Sequence, residues 1–136
     1  MADPRAFISF DADNNSTEKM LFAGQTYLST IPFAIQDWSS KSPLPEAQWQ
    51  ALIKEKINKT HMLIVLVGRS MSTATGVVKE IQMARDQNVP IFGVYVDNAN
   101  TSTTLPTGLA RNRVISWNWA DIGGAVKQMM GEGKNK

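Results

Sequence analysis

A continuous apolar run at residues 62–67, Met-Leu-Ile-Val-Leu-Val, constrains the fold of this chain more than any other stretch. Six apolar residues without alternation are typical of a strand that is buried on both faces of a parallel sheet. A polar loop at 69–75 follows, and apolar residues then recur at helical spacing from Val77 onwards, which predicts a helix over 76–88. A strand, a polar loop and a helix in this order form a ligand crevice in α/β proteins, because the crevice lies at the carboxyl ends of the strands.

Strands and helices alternate along the whole sequence, and two of the strands are short and wholly apolar. This pattern favours a parallel sheet with helices on both faces. Since right-handed crossovers leave few topologies, we predict a flavodoxin-like three-layer α/β/α fold with a five-stranded parallel sheet in the order 2-1-3-4-5. The predicted strands are 5–10, 32–36, 62–67, 90–96 and 113–116, and the predicted helices are 15–28, 46–59, 76–88 and one that Asn118 caps.

The composition is that of one globular domain. The chain has 136 residues, of which 43% are hydrophobic and 19% charged, so we expect a single domain over 1–136, with a core at about 5–130 and a flexible tail at 131–136. The net charge of +2 is too small to indicate a nucleic-acid or membrane partner. The lack of cysteine excludes disulfides, thiolate metal sites and a cysteine nucleophile. No signal peptide or membrane-length apolar run is present, so a cytoplasmic location is expected.

Three polar segments, 11–16, 37–42 and 69–75, follow predicted strands and converge at one edge of the sheet. Asp11 and Asp13 could bind Mg²⁺, hold ribose hydroxyls or cap the next helix. No third acid lies nearby in the sequence, and we predict no metal site. Trp38 could stack on a base or cover the edge of the sheet.

Several ligands that are common in this fold are excluded. A receiver domain needs an aspartate where this chain has Gly68-Arg69, and the loop at 11–15, Asp-Ala-Asp-Asn-Asn, would repel the phosphate of FMN. A Gly-x-Gly-x-x-Gly sequence and a P-loop are both absent. The only histidine, His61, precedes the strand at 62–67 and so lies at the wrong end of the sheet for a Ser-His-Asp set. We expect a structural role for it at the end of the helix 46–59, where a positive charge is favoured.

Glu80 is the one acid in the first turns of the helix 76–88, and on a helical wheel it falls at the border of the apolar face. From that position its carboxylate could face the crevice and take part in catalysis. It could equally form an ion pair with a nearby lysine or arginine. The sequence pattern leaves both alternatives open.

Six short segments recur in a characteristic order: FISFD (7–11), DWS (37–39), IVLVG (64–68), KEI (79–81), PIFGV (90–94) and SWNW (116–119). In this order and spacing they resemble the small prokaryotic TIR-like proteins of flavodoxin-like fold. That group includes the TIR-like component of the Thoeris anti-phage system. The resemblance covers about residues 5–126.

The resemblance implies a use for the crevice. TIR enzymes cleave the nicotinamide–ribose bond of NAD and release nicotinamide with ADP-ribose or a cyclic isomer of it. In Thoeris this nucleotide is a signal that activates a separate effector. NAD would be the substrate, and no cofactor is expected. The family's catalytic glutamate lies on the helix after the third strand, which by position is Glu80 here. The implied substrate-binding residues are Phe10, Asp11, Asp13, Asn14, Asp37, Trp38, Ser39, Ser70 and Ser72, with Ser70, Ser72 or the start of the first helix receiving the pyrophosphate.

The sequence also departs from the family pattern. Many TIR enzymes carry a Trp-Cys pair shortly before the glutamate, whereas residues 76–79 are Gly-Val-Val-Lys, so the nicotinamide pocket is expected to be built otherwise. TIR enzymes commonly self-assemble, which makes a homo-oligomer a further expectation. Two alternatives remain: a nucleoside deoxyribosyltransferase-like N-glycosidase, suggested by Thr75-Gly76 with Glu80 and Pro90, and a non-catalytic TIR-type interaction module.

Overall fold

The computed structural model describes residues 4–11, 45–69, 75–96 and 99–132, together with the backbone of residues 34–38. The strands are β1 (Arg5–Ser9), β2 (Ala34–Trp38), β3 (Met62–Val67), β4 (Ile91–Tyr95) and β5 (Val114–Ile115). The helices are α1 (Glu46–Asn58), α2 (Thr75–Asp86) and α3 (Trp119–Glu132), and a short 3₁₀ turn, Arg111–Arg113, precedes β5. The helix predicted at 15–28 lies outside the described residues.

The strands form one parallel sheet with the spatial order β2-β1-β3-β4-β5. The predicted α/β fold with a parallel sheet is therefore confirmed. β3 lies between β1 and β4, and all six of its residues are buried, as its unbroken apolar run requires. Because the strands are parallel, β1, β2 and β3 all end at the same edge of the sheet, at Ser9, Trp38 and Val67. We call this edge the carboxyl edge.

The alternation of side chains along the strands divides the core into two clusters, one on each face of the sheet. The first cluster lies beneath α1 and α2, and its members include Phe7, Leu63, Val65, Ile53, Ile57, Val77 and Ile81. The second cluster lies beneath α3, and its members include Ile8, Ile64, Leu66, Phe92, Ile122, Val126 and Met129. Each fully buried side chain of this size contributes about 1.5–3 kcal/mol relative to an exposed one, so both helical layers are held by apolar packing.

The second strand ends later than the sequence predicted. β2 extends to Trp38, and its backbone pairs with β1, with Phe7 opposite Asp37 and Ile8 opposite Trp38. Asp37 and Trp38 therefore belong to the strand and not to the following loop, which is a correction to the predicted strand 32–36. Among the described strands, β2 pairs with β1 alone, and a strand with one neighbour tolerates polar residues that an interior strand does not.

The end of α2 also differs from the prediction. The helix stops at Asp86, two residues before the predicted end, because Asn88 adopts a left-handed conformation with φ of 59°. The backbone N–H of Val89 then bonds to the carbonyl of Ala84 at 2.9 Å, and that of Asn88 to the carbonyl of Arg85 at 3.2 Å. These two bonds form a Schellman motif, with asparagine in the place that glycine usually takes.

The start of α3 agrees with the sequence-based prediction, whereas its end does not. The Asn118 side-chain oxygen accepts hydrogen bonds from the N–H groups of Ala120 (2.9 Å) and Asp121 (3.3 Å), so the predicted cap is confirmed. The helix continues to Glu132, inside the predicted tail. There the Arg113 guanidinium donates to both carboxylate oxygens of Glu132, at 2.8 and 3.2 Å, which holds the pKa of Glu132 below its usual value.

His61 is buried and makes a structural contact that the sequence did not predict. Its Nδ1 accepts a hydrogen bond from the backbone N–H of Arg5 at 2.8 Å, and the backbone N–H of His61 donates to the Arg5 carbonyl at 2.8 Å. The imidazole thus acts as an acceptor that joins the starts of β1 and β3.

Replacing His61 tests this acceptor role. We expect His61→Leu to lower the free energy of unfolding by about 1–3 kcal/mol, because the Arg5 N–H loses its acceptor. His61→Asn places an amide oxygen close to the position of Nδ1 and should retain a larger part of the stability. Urea denaturation measures both variants, and equal losses would show that the hydrogen bond is not what matters.

Gly108 packs against the helix that carries Glu80. It has a φ of 96°, and a Cβ atom there would lie 2.8 Å from Cγ2 of Ile81 in α2. The Arg85 guanidinium, also from α2, donates to the Gly108 carbonyl at 3.2 Å. The loop after β4 therefore fits closely against α2 only because residue 108 has no side chain.

The same substitution at two glycines should have opposite effects. Gly108→Ala should destabilise the protein by about 1–2 kcal/mol for the backbone conformation alone, and the contact with Ile81 adds to this loss. Gly124→Ala, on α3, meets no atom within 4 Å and should stabilise the helix by roughly 0.5–1 kcal/mol. Thermal unfolding followed by circular dichroism measures both changes. A neutral Gly108→Ala variant would refute the described fit of this loop.

Candidate active site

The carboxyl edge of the sheet holds a buried pair of polar side chains, Ser9 and Glu80. Ser9 is the last residue of β1, and Glu80 lies in the second turn of α2. The Ser9 hydroxyl donates a hydrogen bond to Oε1 of Glu80 at 2.6 Å. Ser9 is 0% and Glu80 1% exposed to solvent. The pair joins two elements that are 71 residues apart in the chain.

Glu80 faces the sheet more directly than the sequence predicted. It follows Val77 by three residues and adjoins Ile81, so it lies within the apolar stripe that packs on the first core cluster. The prediction placed it at the border of that stripe. A buried carboxylate costs free energy unless hydrogen bonds compensate for the lost water, and an apolar side chain would fill the same position without that cost. Its burial at the carboxyl edge makes Glu80 a candidate site residue.

The neighbouring lysine forms its ion pair elsewhere. The Lys79 ammonium binds the carboxylate of Glu46, in the first turn of α1. The hydrogen bond from Lys79 lowers the pKa of the Glu46 carboxyl, and a second hydrogen bond, from Gln50, acts in the same direction. Successive residues of α2 thus point in different directions, since Lys79 links α2 to α1 and Glu80 faces the sheet.

The other predicted site residues do not all lie on the same face of the sheet as Glu80, and some lie outside the described residues. Phe10 packs in the second core cluster, on the opposite face of the sheet from Glu80. Asp11 is buried just beyond Ser9, at 6% exposure. The backbone of Asp37 and Trp38 lies at the end of β2, beside β1. The predicted residues that lie outside the described part of the chain are Asp13, Asn14, Ser39, Ser70 and Ser72.

Ser9 is the residue that the sequence reasoning missed. The signal was present, because Ser9 is the only polar residue in Ala6–Phe10, a segment that otherwise reads as a buried strand. Side chains alternate along a strand, so Ser9 shares a face with Phe7, which packs beneath α1 and α2. Ser9 is thus a polar residue at the end of a strand, on the face that α2 covers. This position made it a candidate partner for Glu80.

This arrangement favours the stabilisation of positive charge. A carboxylate in a site with little water acts in a low dielectric, where its electrostatic effect is larger than at the surface. The same group can accept hydrogen bonds from sugar hydroxyls. Within the described ranges, no group of three or more His, Cys, Asp or Glu side chains could hold a metal ion. In the same part of the chain, no helix has the length and apolar character needed to cross a membrane.

Known structures resemble this chain at low sequence identity. A 3-dehydroquinate dehydratase-like protein from Bifidobacterium longum shares 11% identity with a TM-score of 0.47, and the match covers 94% of this chain and 96% of that one. A prokaryotic SEFIR domain shares 14% identity with a TM-score of 0.48, over 94% of this chain and 90% of that one. A comparison with curated proteins gives no match.

The family comparison is more specific. The model of the family described as "Thoeris protein ThsB, TIR-like domain" matches residues 7–101. This range is more than half of the chain and includes Ser9, β3 and Glu80. The resemblance that the sequence motifs carry is thereby confirmed, and the chain belongs to the TIR-like domain family of the Thoeris protein ThsB.

Proposed function

We propose that this protein is an NAD-cleaving enzyme of Thoeris-type anti-phage defence, with Glu80 as its catalytic residue. The observation that carries the proposal is the buried Glu80 carboxylate, which lies at the carboxyl edge and accepts a hydrogen bond from Ser9. The position agrees with the expectation for the family, since Glu80 lies on the helix that follows β3. Membership of the family makes the activity a specific hypothesis, and the geometry at Glu80 supports it.

The proposed reaction needs few groups. The bond between the nicotinamide nitrogen and the ribose carbon breaks, and its electron pair leaves with nicotinamide, which departs as a neutral base. No general acid is required, so the lack of a histidine at this edge is no obstacle. The ribosyl carbon develops oxocarbenium character, as in glycoside hydrolysis. A fixed carboxylate facing that centre stabilises the developing positive charge.

The product depends on which oxygen attacks the ribosyl carbon. Attack by water, with loss of its proton, gives ADP-ribose. Attack by a hydroxyl of the same nucleotide gives a cyclic isomer, and the site must then exclude water and hold the dinucleotide folded. We propose the cyclic product, acting as a signal to a separate effector. Asp11 is buried and follows Ser9 by two residues in the chain, and we propose that it holds a ribose hydroxyl.

The direct test is nicotinamide release from NAD by purified protein. Glu80→Gln keeps the shape of the side chain and removes its charge, and we expect the rate to fall on the order of 10²–10³-fold. The matched control is Glu55→Gln. Glu55 is an exposed glutamate on α1 that pairs with Lys59 at 3.2 Å, and its substitution should leave the rate unchanged. Equal rates for the wild type and Glu80→Gln would refute the catalytic role of Glu80.

Two further readouts separate the alternatives. A nucleoside deoxyribosyltransferase-like enzyme would cleave free nucleosides in preference to NAD, which a substrate panel detects. A non-catalytic interaction module would protect cells from phage equally well with Glu80→Gln as with the wild type. Our proposal expects preference for NAD in the first experiment and loss of protection in the second.

A further inference from the structure

We infer that Ser9 is a positioning residue for Glu80 and fixes the catalytic carboxylate through Oε1. This inference rests on the proposed function for its effect on the rate, and on the structure for the contact itself. Ser9 belongs to none of the segments that were predicted to bind substrate. The Ser9 hydroxyl, on β1, contacts the carboxylate that Glu80 carries on α2.

β1 gives Ser9 a rigid position. This strand lies between β2 and β3 in the sheet, and the backbone of Ser9 is in register with Val65 of β3. Val65 and Ile8, the neighbours of Ser9 across and along the sheet, are fully buried. A donor on a paired strand moves less than one on a loop, so it can define the position of its acceptor within the tolerance that catalysis demands.

The length of the hydrogen bond indicates a strong contact. Hydrogen bonds from a hydroxyl to an ionised carboxylate are typically about 2.5–2.7 Å long, and this one measures 2.6 Å. Ser9 and Glu80 are 0% and 1% exposed, so the whole contact lies in the protein interior, away from competing water.

A glutamate on a helix has several rotatable bonds, and the helix alone does not fix its carboxylate. Lys79–Glu46 and the Gly108 loop hold α2 itself in place, but neither contact orients the end of the Glu80 side chain. The Ser9 hydroxyl does so directly. A displacement of a reacting group by about 1 Å can reduce the rate on the order of 10²-fold, so the loss of this hydroxyl should lower kcat and leave substrate affinity largely intact.

The test compares Ser9→Thr with Ser9→Val in the full chain. The two side chains have nearly the same shape and differ in one hydroxyl, so they share any packing strain at this buried position. With NAD as substrate, we expect Ser9→Val to lower kcat by about 10–100-fold, with KM changed by less than about threefold. Ser9→Thr should remain within about fivefold of the wild type. Equal kcat values for the two variants would overturn the inference.

A second readout does not depend on activity. In protein labelled with ¹³C at the glutamate side-chain carboxyl, the Glu80 signal is identified by its absence in Glu80→Gln. Loss of a donor disfavours the charged form of a carboxylate, so this signal should shift and titrate at higher pH in Ser9→Val than in Ser9→Thr. An identical signal and titration in both variants would show that Ser9 does not hold the carboxylate.

The two readouts separate failure of this inference from failure of the proposed function. If the wild type cleaves no NAD, the proposed function fails, and the carboxyl signal alone decides whether Ser9 orients Glu80. If the wild type cleaves NAD and Glu80→Gln does not, equal activity of the Ser9 variants overturns the inference alone. If neither Thr nor Val permits folding, Ser9→Ala adds no bulk, and it should reproduce the fall in kcat and the shifted signal.

Discussion

The hydrogen bond between Ser9 and Glu80 is the interaction on which this account depends. A carboxylate that faces the core destabilises a protein unless a donor meets it, and here the donor is a strand hydroxyl 2.6 Å away. The contact joins the end of β1 to the second turn of α2 at the edge where α/β proteins bind ligands. The fold thus keeps a polar group in a position that apolar packing would otherwise fill, which is typical of a site kept for chemistry rather than for stability.

The surrounding structure brings the two residues together and holds them there. β1 lies between β2 and β3, and Ser9, its last residue, is in register with Val65 of β3. α2 is held to the sheet by Val77 and Ile81, to α1 by the Lys79–Glu46 pair, and to the loop after β4 by its contact with Gly108. His61 acts at the other end of the same strands, where it joins the starts of β1 and β3. The core packing and the contacts on both sides of α2 therefore define where this helix places Glu80.

Much of this fold could be predicted from local signals, but the contact at its centre could not. The apolar run of β3 and the Asn118 cap of α3 are local features, and both predictions hold. The end of β2 depends on pairing with β1, and the orientation of Glu80 depends on how α2 packs, so both could be predicted only approximately from local patterns. The Ser9–Glu80 bond spans 71 positions; strand alternation marks Ser9 as a polar residue on the covered face of β1, but no local pattern joins it to Glu80. Family resemblance suggested Glu80, whereas only the folded arrangement identified Ser9 as its partner.

The central claim is that Glu80 carries NAD chemistry in cells. Its most direct test is mass spectrometry of nucleotides extracted from phage-infected cells that express either the wild type or Glu80→Gln at equal levels. We predict that NAD falls and that an ADP-ribose-related nucleotide appears in the wild type alone. If the wild type protects the cells while its nucleotides match those of Glu80→Gln, the catalytic account is wrong, and the domain acts through a protein partner.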